Sequence, residues 1–153
     1  MQRTRSKKAV EFFYNGYNCA QSVACAYCDL AGLSAEKAYR ATAGLGGGVG
    51  GMRLTCGALT AAAMIAGLHQ GNYDPDDNKK KKELYAVISA IGEAFVKKFE
   101  SSCCYDLLIK AGVDFSVQPK ERSEKYYRER PCGNFIEYTS LLIEEKVFNK
   151  KIE

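Results

Sequence analysis

GLGGGVGG at residues 44–51 and CGALTAAAMIAGLHQ at residues 56–70 are the two stretches that decide the fold of this chain. Six of the eight residues in the first stretch are glycine, so we expect no regular helix there but a tight turn or a close backbone contact. The second stretch is apolar and rich in alanine, which favours a helix. Its small side chains allow close packing, so we expect this helix at the centre of the molecule.

Helical periodicity continues on both sides of this centre. No run alternates apolar and polar residues between hairpin turns, so strands are not expected. Capping residues, glycines and prolines predict helices over residues 4–14, 19–32, 35–43, 56–70, 77–99, 103–111 and 131–147, and a polar segment from Pro119 to Arg130. The sequence therefore predicts an all-α fold, a compact multi-helix bundle with a Gly-rich loop before a central small-residue helix.

Composition limits the classes of function. The chain has 153 residues, of which 46% are hydrophobic and 26% charged, and this is typical of one globular domain over residues 1–153. The net charge of +4 is mild, and the basic block at residues 79–82 has no interleaved aromatic residues, so nucleic-acid binding is not expected. The longest apolar stretch is about half of the roughly 20 residues that a membrane span needs. Without a signal-like start, a cytoplasmic location is the expectation.

Cysteine is unusually frequent in a chain with a single histidine. The seven cysteines are Cys19, Cys25, Cys28, Cys56, Cys103, Cys104 and Cys132. Cytoplasmic thiols stay reduced unless they bind metal or take part in redox chemistry, and seven are too few for a disulfide scaffold. The count favours metal binding or redox chemistry.

Helix geometry separates four cysteines from the others. At 100° per residue, each of the four lies on the apolar stripe of its own helix and faces the core. Each also lies at or near a helix start, where partial positive charge and free N–H groups lower a thiol's pKa and stabilise an anion. The four are Cys19, Cys56, Cys104 and Cys132. If they converge, they form a pocket of soft ligands suited to an iron–sulfur cluster.

The remaining three cysteines lie on other sides of their helices. Cys25 and Cys28 have Cys-x-x-Cys spacing, but they lie in the middle of a predicted helix, whereas redox pairs of this spacing normally open one. We predict packing or surface thiols for this pair. A vicinal disulfide between Cys103 and Cys104 would be strained, and the sequence assigns no role to Cys103.

Glycines and the histidine complete the candidate residues. Gly46-x-Gly48-x-x-Gly51 matches a dinucleotide fingerprint as a string, but no strand precedes it, so phosphate binding is not expected there. We expect instead that glycines let the backbone approach or support the cysteine site; these are Gly46, Gly47, Gly48 and Gly57. His69 lies nearly four helical turns, roughly 20 Å, from Cys56 and is not expected to be a ligand.

Four motifs in order resemble one known family. They are residues 16–21 (GYNCAQ), the glycines leading into Cys56-Gly57-Ala58, residues 99–108 (FESSCCYDLL) and Cys132. The chain resembles, over nearly its whole length, the family of putative redox-active proteins named C_GCAxxG_C_C, whose four cysteines fall on Cys19, Cys56, Cys104 and Cys132. Ala61 stands where the motif has its final glycine, and Glu100 where a glycine is usual. The resemblance implies a small α-helical redox protein with an iron–sulfur or other prosthetic group, related to a domain of split-Soret cytochromes, and it implies no defined reaction.

Three functions are open at this point. In the first, the four cysteines bind an iron–sulfur cluster for redox sensing or for electron transfer with a redox partner protein. In the second, the same cysteines exchange disulfides, with a low-pKa thiolate such as Cys56 attacking. In the third, four thiolates bind zinc in a structural interaction module. A redox protein is favoured over an enzyme with its own substrate, and the small residues of 56–70 permit a homodimer.

Overall fold

Eight α-helices make up most of the computed structural model, which describes residues 4–115 and 120–149. They are α1 (Arg5–Tyr14), α2 (Cys19–Tyr27), α3 (Ala35–Thr42), α4 (Gly57–Gln70), α5 (Asn78–Phe99), α6 (Cys104–Lys110), α7 (Glu124–Glu129) and α8 (Cys132–Lys146). Short 3-10 turns cover Cys28–Ala31 and Ala43–Leu45. Within the described ranges there is no strand, and no helix is both long and apolar enough to cross a membrane. The all-α prediction is confirmed.

Several helices begin at the capping residues from which they were predicted. Thr4, Ser34 and Asp77 each accept a hydrogen bond from a backbone N–H in the first turn of α1, α3 and α5. Asn18 and Gln21 form a reciprocal capping box at the start of α2. Such caps satisfy N–H groups that a helix leaves without partners. They also fix where α2 begins, and therefore where Cys19 lies.

Two predicted elements differ from the structure. The helix predicted over 19–32 ends at Tyr27 and continues as the 3-10 turn Cys28–Ala31, so the Cys25 and Cys28 pair spans a helix end instead of its middle. The predicted polar segment contains α7, which begins because Ser123 accepts a hydrogen bond from the Tyr126 N–H. Pro119, where that segment was predicted to begin, lies outside the described residues.

Helix α4 lies at the centre, as its small residues predict. It packs against α2, α5 and α8. The face that allows this contact is buried and consists of Ala58, Ala61, Ala62, Ile65 and Ala66. At its start, a Cβ added to Gly57 would lie 3.0 Å from the Ala20 backbone nitrogen and 3.3 Å from the Cys19 Cβ. Glycine therefore lets the starts of α2 and α4 touch, which places Cys19 beside Cys56.

Candidate functional site

Four helix starts meet at one cavity. Cys19, Cys104 and Cys132 are the first residues of α2, α6 and α8, and Cys56 is the residue that precedes α4. All four line the same cavity, whose volume is about 530 Å³. The structure thus brings together the four cysteines that helix geometry and the family resemblance selected.

The glycine loop forms part of the cavity wall through a left-handed turn. Five consecutive residues, from Gly47 to Gly51, have φ angles between 55° and 79°, a region that favours glycine. The turn closes when the N–H groups of Arg53 and Leu54 donate to the carbonyl oxygens of Gly47 and Gly48, both at 2.9 Å. A Cβ on Gly48 would lie 2.8 Å from the Cys104 Cβ. The predicted role of the glycines in close backbone approach agrees with this geometry.

A short backbone pairing sets Cys56 beside Cys104. Thr55 and Cys103 form an isolated antiparallel bridge. The Cys56 N–H donates to the Ser102 carbonyl oxygen at 2.9 Å, and the Cys104 N–H donates to the Leu54 carbonyl oxygen. Because these bonds flank the bridge, the start of α4 and the start of α6 are held in register. Cysteines 48 residues apart in the sequence therefore face one space.

The cavity is basic, which the sequence interpretation missed. Its lining includes Arg53, Lys120, Arg122 and Arg130, and no Asp or Glu is found among its described residues. The guanidinium carbons of Arg122 and Arg130 lie 4.5 Å and 4.8 Å from the centre of the Tyr126 ring. The sequence did carry a signal, because Arg122, Tyr126 and Arg130 recur at four-residue spacing, which favours one helical face. This spacing was not recognised because the three residues lie in a short segment that was predicted only to be polar.

The pKa of one of the four cavity thiols is lowered, and the pKa values of the other three are raised. The pKa of Cys132 is lowered, first by its interaction with the Cys19 thiol and then by Arg130, Arg122 and Arg53. The pKa of Cys19 is raised by the same interaction and by burial. Burial also raises the pKa of Cys56 to about 12, against the smaller opposing effect of the Ala58 and Leu59 N–H groups, and it raises the pKa of Cys104.

These directions correct the predicted thiol chemistry. Helix starts were expected to lower the pKa of all four cysteines, but desolvation raises the pKa of Cys56 and Cys104, and the interaction with Cys132 together with burial raises that of Cys19. The prediction of Cys56 as the low-pKa attacking thiolate is therefore wrong. Cys132 is the member of the set whose pKa is lowered.

The other three cysteines do not line the cavity. Cys25 and Cys28 are 8% and 2% exposed, so they are packing thiols and not surface thiols. The Cys28 thiol donates to the Cys25 carbonyl oxygen at 3.6 Å, and the Cys103 thiol donates to the Arg53 carbonyl oxygen at 3.3 Å. All seven cysteines are free, so Cys103 and Cys104 form no disulfide.

Sulfur chemistry decides which groups fit the cavity. His69 lies outside it and packs edge-on against Phe148, with ring centres 4.7 Å apart. Across residues 4–115 and 120–149, no three His, Cys, Asp or Glu side chains are grouped so as to hold a single metal ion. The four cysteines line the wall of one cavity. Among the described residues, the lining has four sulfur donors and no carboxylate, a donor set that fits a soft metal group.

The structure thus defines an all-α protein in which four cysteines from four helix starts line one basic cavity. The family model described as "Putative redox-active protein (C_GCAxxG_C_C)" matches residues 17–146, and the chain belongs to this family. The match includes all four cavity cysteines. Searches of curated proteins and of solved structures found no match.

Proposed function

We propose that Cys19, Cys56, Cys104 and Cys132 bind an iron–sulfur cluster and that the protein transfers electrons or senses redox state through it. The observation that carries this proposal is that the four cysteines, each from a different helix start, line one cavity whose described residues include no carboxylate. When bound, such a cluster supplies a one-electron redox couple. The family, described as redox-active, supports the redox class.

The surrounding residues suit a negatively charged sulfur site. Arg53 Nη1 donates to Cys104 Sγ at 3.7 Å, and the first-turn N–H groups of Ala58 and Leu59 interact with the Cys56 sulfur. Hydrogen bonds and positive charge at the sulfurs favour the more negative, reduced state and so raise a reduction potential. These residues would therefore set the potential of the bound group.

Cavity size favours a cluster over structural zinc. Four sulfurs that bind one zinc ion lie about 2.3 Å from it, which leaves no open space among them. The cysteine cavity is about 530 Å³. This volume, which the cysteines share with the other lining residues, leaves room for a group larger than one ion.

Thiol–disulfide exchange is the second candidate, because Cys19 and Cys132 line the same cavity and the pKa of Cys132 is lowered. In this reaction the Cys132 thiolate attacks a disulfide of a partner protein, forming a mixed disulfide and releasing one partner thiolate. Cys19 then attacks the mixed disulfide, losing its proton to solvent and releasing the second partner thiolate. The products are a reduced partner and a Cys19–Cys132 disulfide.

One experiment separates the three functions. Iron, zinc and acid-labile sulfide are measured, with a visible spectrum, on anaerobically purified wild type, Cys104→Ser and Cys103→Ser. We expect iron with matching sulfide and broad visible absorption in the wild type and in Cys103→Ser, and their loss in Cys104→Ser. Cys103 is the matched control because its thiol donates to a backbone carbonyl, which a serine hydroxyl also does.

The other results contradict the cluster. Zinc alone, with unfolding on chelation, would make the site structural. Neither metal after anaerobic reconstitution, with reduction of a test disulfide that Cys132→Ser abolishes, would establish thiol exchange. The redox partner protein, the homodimer and the cytoplasmic location stay predictions.

A further inference from the structure

The cavity is lined by more cationic side chains than those that contact its sulfurs. Arg53 is the cation that contacts a cysteine, at Cys104 Sγ. Lys120 has its own acidic neighbour, because its Nζ lies 3.8 Å from Asp114 Oδ2. Arg122 and Arg130 form no ion pair with any carboxylate of residues 4–115 and 120–149. Two guanidinium groups in the wall thus have neither a sulfur contact nor an acidic partner.

Aromatic rings and a backbone carbonyl hold Arg122 rigidly. Its guanidinium carbon lies 5.1 Å from the Phe13 ring centre and 4.5 Å from that of Tyr126, and Nη2 donates to the Tyr17 carbonyl oxygen at 3.3 Å. Cation–π contacts fix the plane of the group without neutralising its charge. Its planar donors are therefore pre-organised before any ligand binds.

One donor of this fixed group has no partner. Arg122 Nη1 is buried and makes no hydrogen bond to the described protein. Burying a charged donor without a hydrogen-bond partner costs more free energy than burying a neutral one. Buried charged donors therefore normally form a hydrogen bond to an acceptor. Arg122 lines the cavity, and the described lining offers no carboxylate to it. An anion in the cavity would meet the accessible side of this guanidinium group, because Nη1 itself has almost no exposed surface.

We propose that the cavity binds a small oxygen anion, either a carboxylate or a tetrahedral oxyanion, on the guanidinium groups of Arg122 and Arg130. Arginine's planar fork pairs with two oxygens of such anions. A cavity of about 530 Å³ is within the range of about 300–1,000 Å³ that is usual for small-molecule sites. This site shares the cavity with the four cysteines and places the anion beside the sulfurs. It gives the protein a small-molecule ligand in addition to its redox group.

Calorimetric titration tests the site on the full chain. Inorganic phosphate, sulfate and succinate are each titrated at constant ionic strength in chloride buffer, into both metal-free and metal-loaded protein. We expect one saturable site per chain for at least one of these anions. Arg122→Gln and Arg130→Gln each weaken binding about tenfold or more, because each removes a charge-assisted hydrogen bond. Preference for phosphate and sulfate identifies a tetrahedral ligand, and preference for succinate a carboxylate ligand.

Arg128→Gln is the matched control, because Arg128 lies on helix α7, between Arg122 and Arg130 in the sequence, but is exposed and outside the cavity lining. It should change the affinity by less than about twofold, within the range of exposed charges. Circular dichroism checks that each variant folds; if Arg122→Gln does not, Arg130→Gln carries the test alone. The proposal is overturned if none of the three anions saturates a site, or if Arg128→Gln weakens binding as much as Arg130→Gln. The iron and sulfide measurements are separate, so failure of the cluster does not affect this result.

Discussion

Arg53 donates a hydrogen bond through Nη1 to Cys104 Sγ at 3.7 Å. Its backbone adopts a left-handed conformation, with φ of 61°, which is unfavourable for a residue other than glycine. Backbone bonds hold it there, because Arg53 N–H donates to the Gly47 carbonyl oxygen and its own carbonyl oxygen accepts from the Tyr105 N–H at 3.1 Å. The same strained turn therefore connects the glycine loop, the α6 start and a cysteine of the cavity.

Replacing Arg53 should affect Cys104 more than the remote thiols. Arg53→Met keeps an unbranched apolar stem but removes the charge and the donor that lower the pKa of Cys104 against burial. The pKa of Cys104 should then rise, so its alkylation in metal-free protein should need a higher pH. Alkylation of each cysteine is followed by mass spectrometry across pH. Cys28, which lies outside the cavity, is the internal control, and an equal shift at Cys28 would show a general loss of structure.

Gly48 should tolerate no side chain. In Gly48→Ala, the Cβ would lie 2.5 Å from the Leu54 backbone nitrogen and 2.8 Å from Cys104 Cβ, at a φ of 65°. We expect a loss of about 1–3 kcal/mol in the free energy of unfolding, from steric overlap and backbone strain. Urea denaturation measures it. Gly44→Ala is the control, because its Cβ meets nothing within 4 Å; a loss of equal size in Gly44→Ala would contradict the steric argument.

Cys132 and Cys56 should differ in reactivity although both are nearly buried, with exposures of 7% and 4%. Interaction with Cys19 lowers the pKa of Cys132, whereas burial raises that of Cys56 to about 12. A lower pKa gives more thiolate at a given pH, so metal-free protein should be alkylated at Cys132 before Cys56 as the pH rises. Cys19→Ala should remove the largest cause of the difference and delay reaction at Cys132. Faster reaction at Cys56 would contradict this order.

The helices and the four cysteines could be predicted because they follow local rules. Caps such as Asn18 and Asp77 begin helices where the sequence places them, and helical periodicity directs Cys19 and Cys132 inward. The apolar stretch that contains Ala61 forms the central helix because small side chains permit contacts on several sides. Each of these features depends on residues within a few positions of one another.

What could not be predicted depends on burial and on distant contacts. The pKa of Cys56 is dominated by desolvation, which no sequence window reveals. The position of Arg122 depends on Phe13 and Tyr17, more than 100 residues away along the chain. The basic cavity was therefore missed although the spacing of Arg122, Tyr126 and Arg130 hinted at it.

A buried polar pair provides a test of stability away from the cavity. Tyr27 OH donates to Glu144 Oε1 at 2.7 Å, and the two residues are 0% and 4% exposed. Tyr27→Phe leaves the Glu144 carboxyl buried without this donor, so we expect a loss of about 1–3 kcal/mol in the free energy of unfolding, measured by urea denaturation. Tyr73→Phe should change nothing, because Tyr73 is 96% exposed.

Removing both groups of the pair should cost less than the sum of the single changes. The cost of Tyr27→Phe comes mainly from the polar group that stays buried, and Tyr27→Phe with Glu144→Met eliminates that group as well. The double variant should therefore be more stable than the sum of Tyr27→Phe and Glu144→Met predicts, with a coupling energy of about 0.5–3 kcal/mol. Additive effects in this cycle would mean that the 2.7 Å hydrogen bond to Glu144 contributes little and that the Tyr27 hydroxyl acts through its other acceptor, the Ser140 carbonyl oxygen at 3.3 Å.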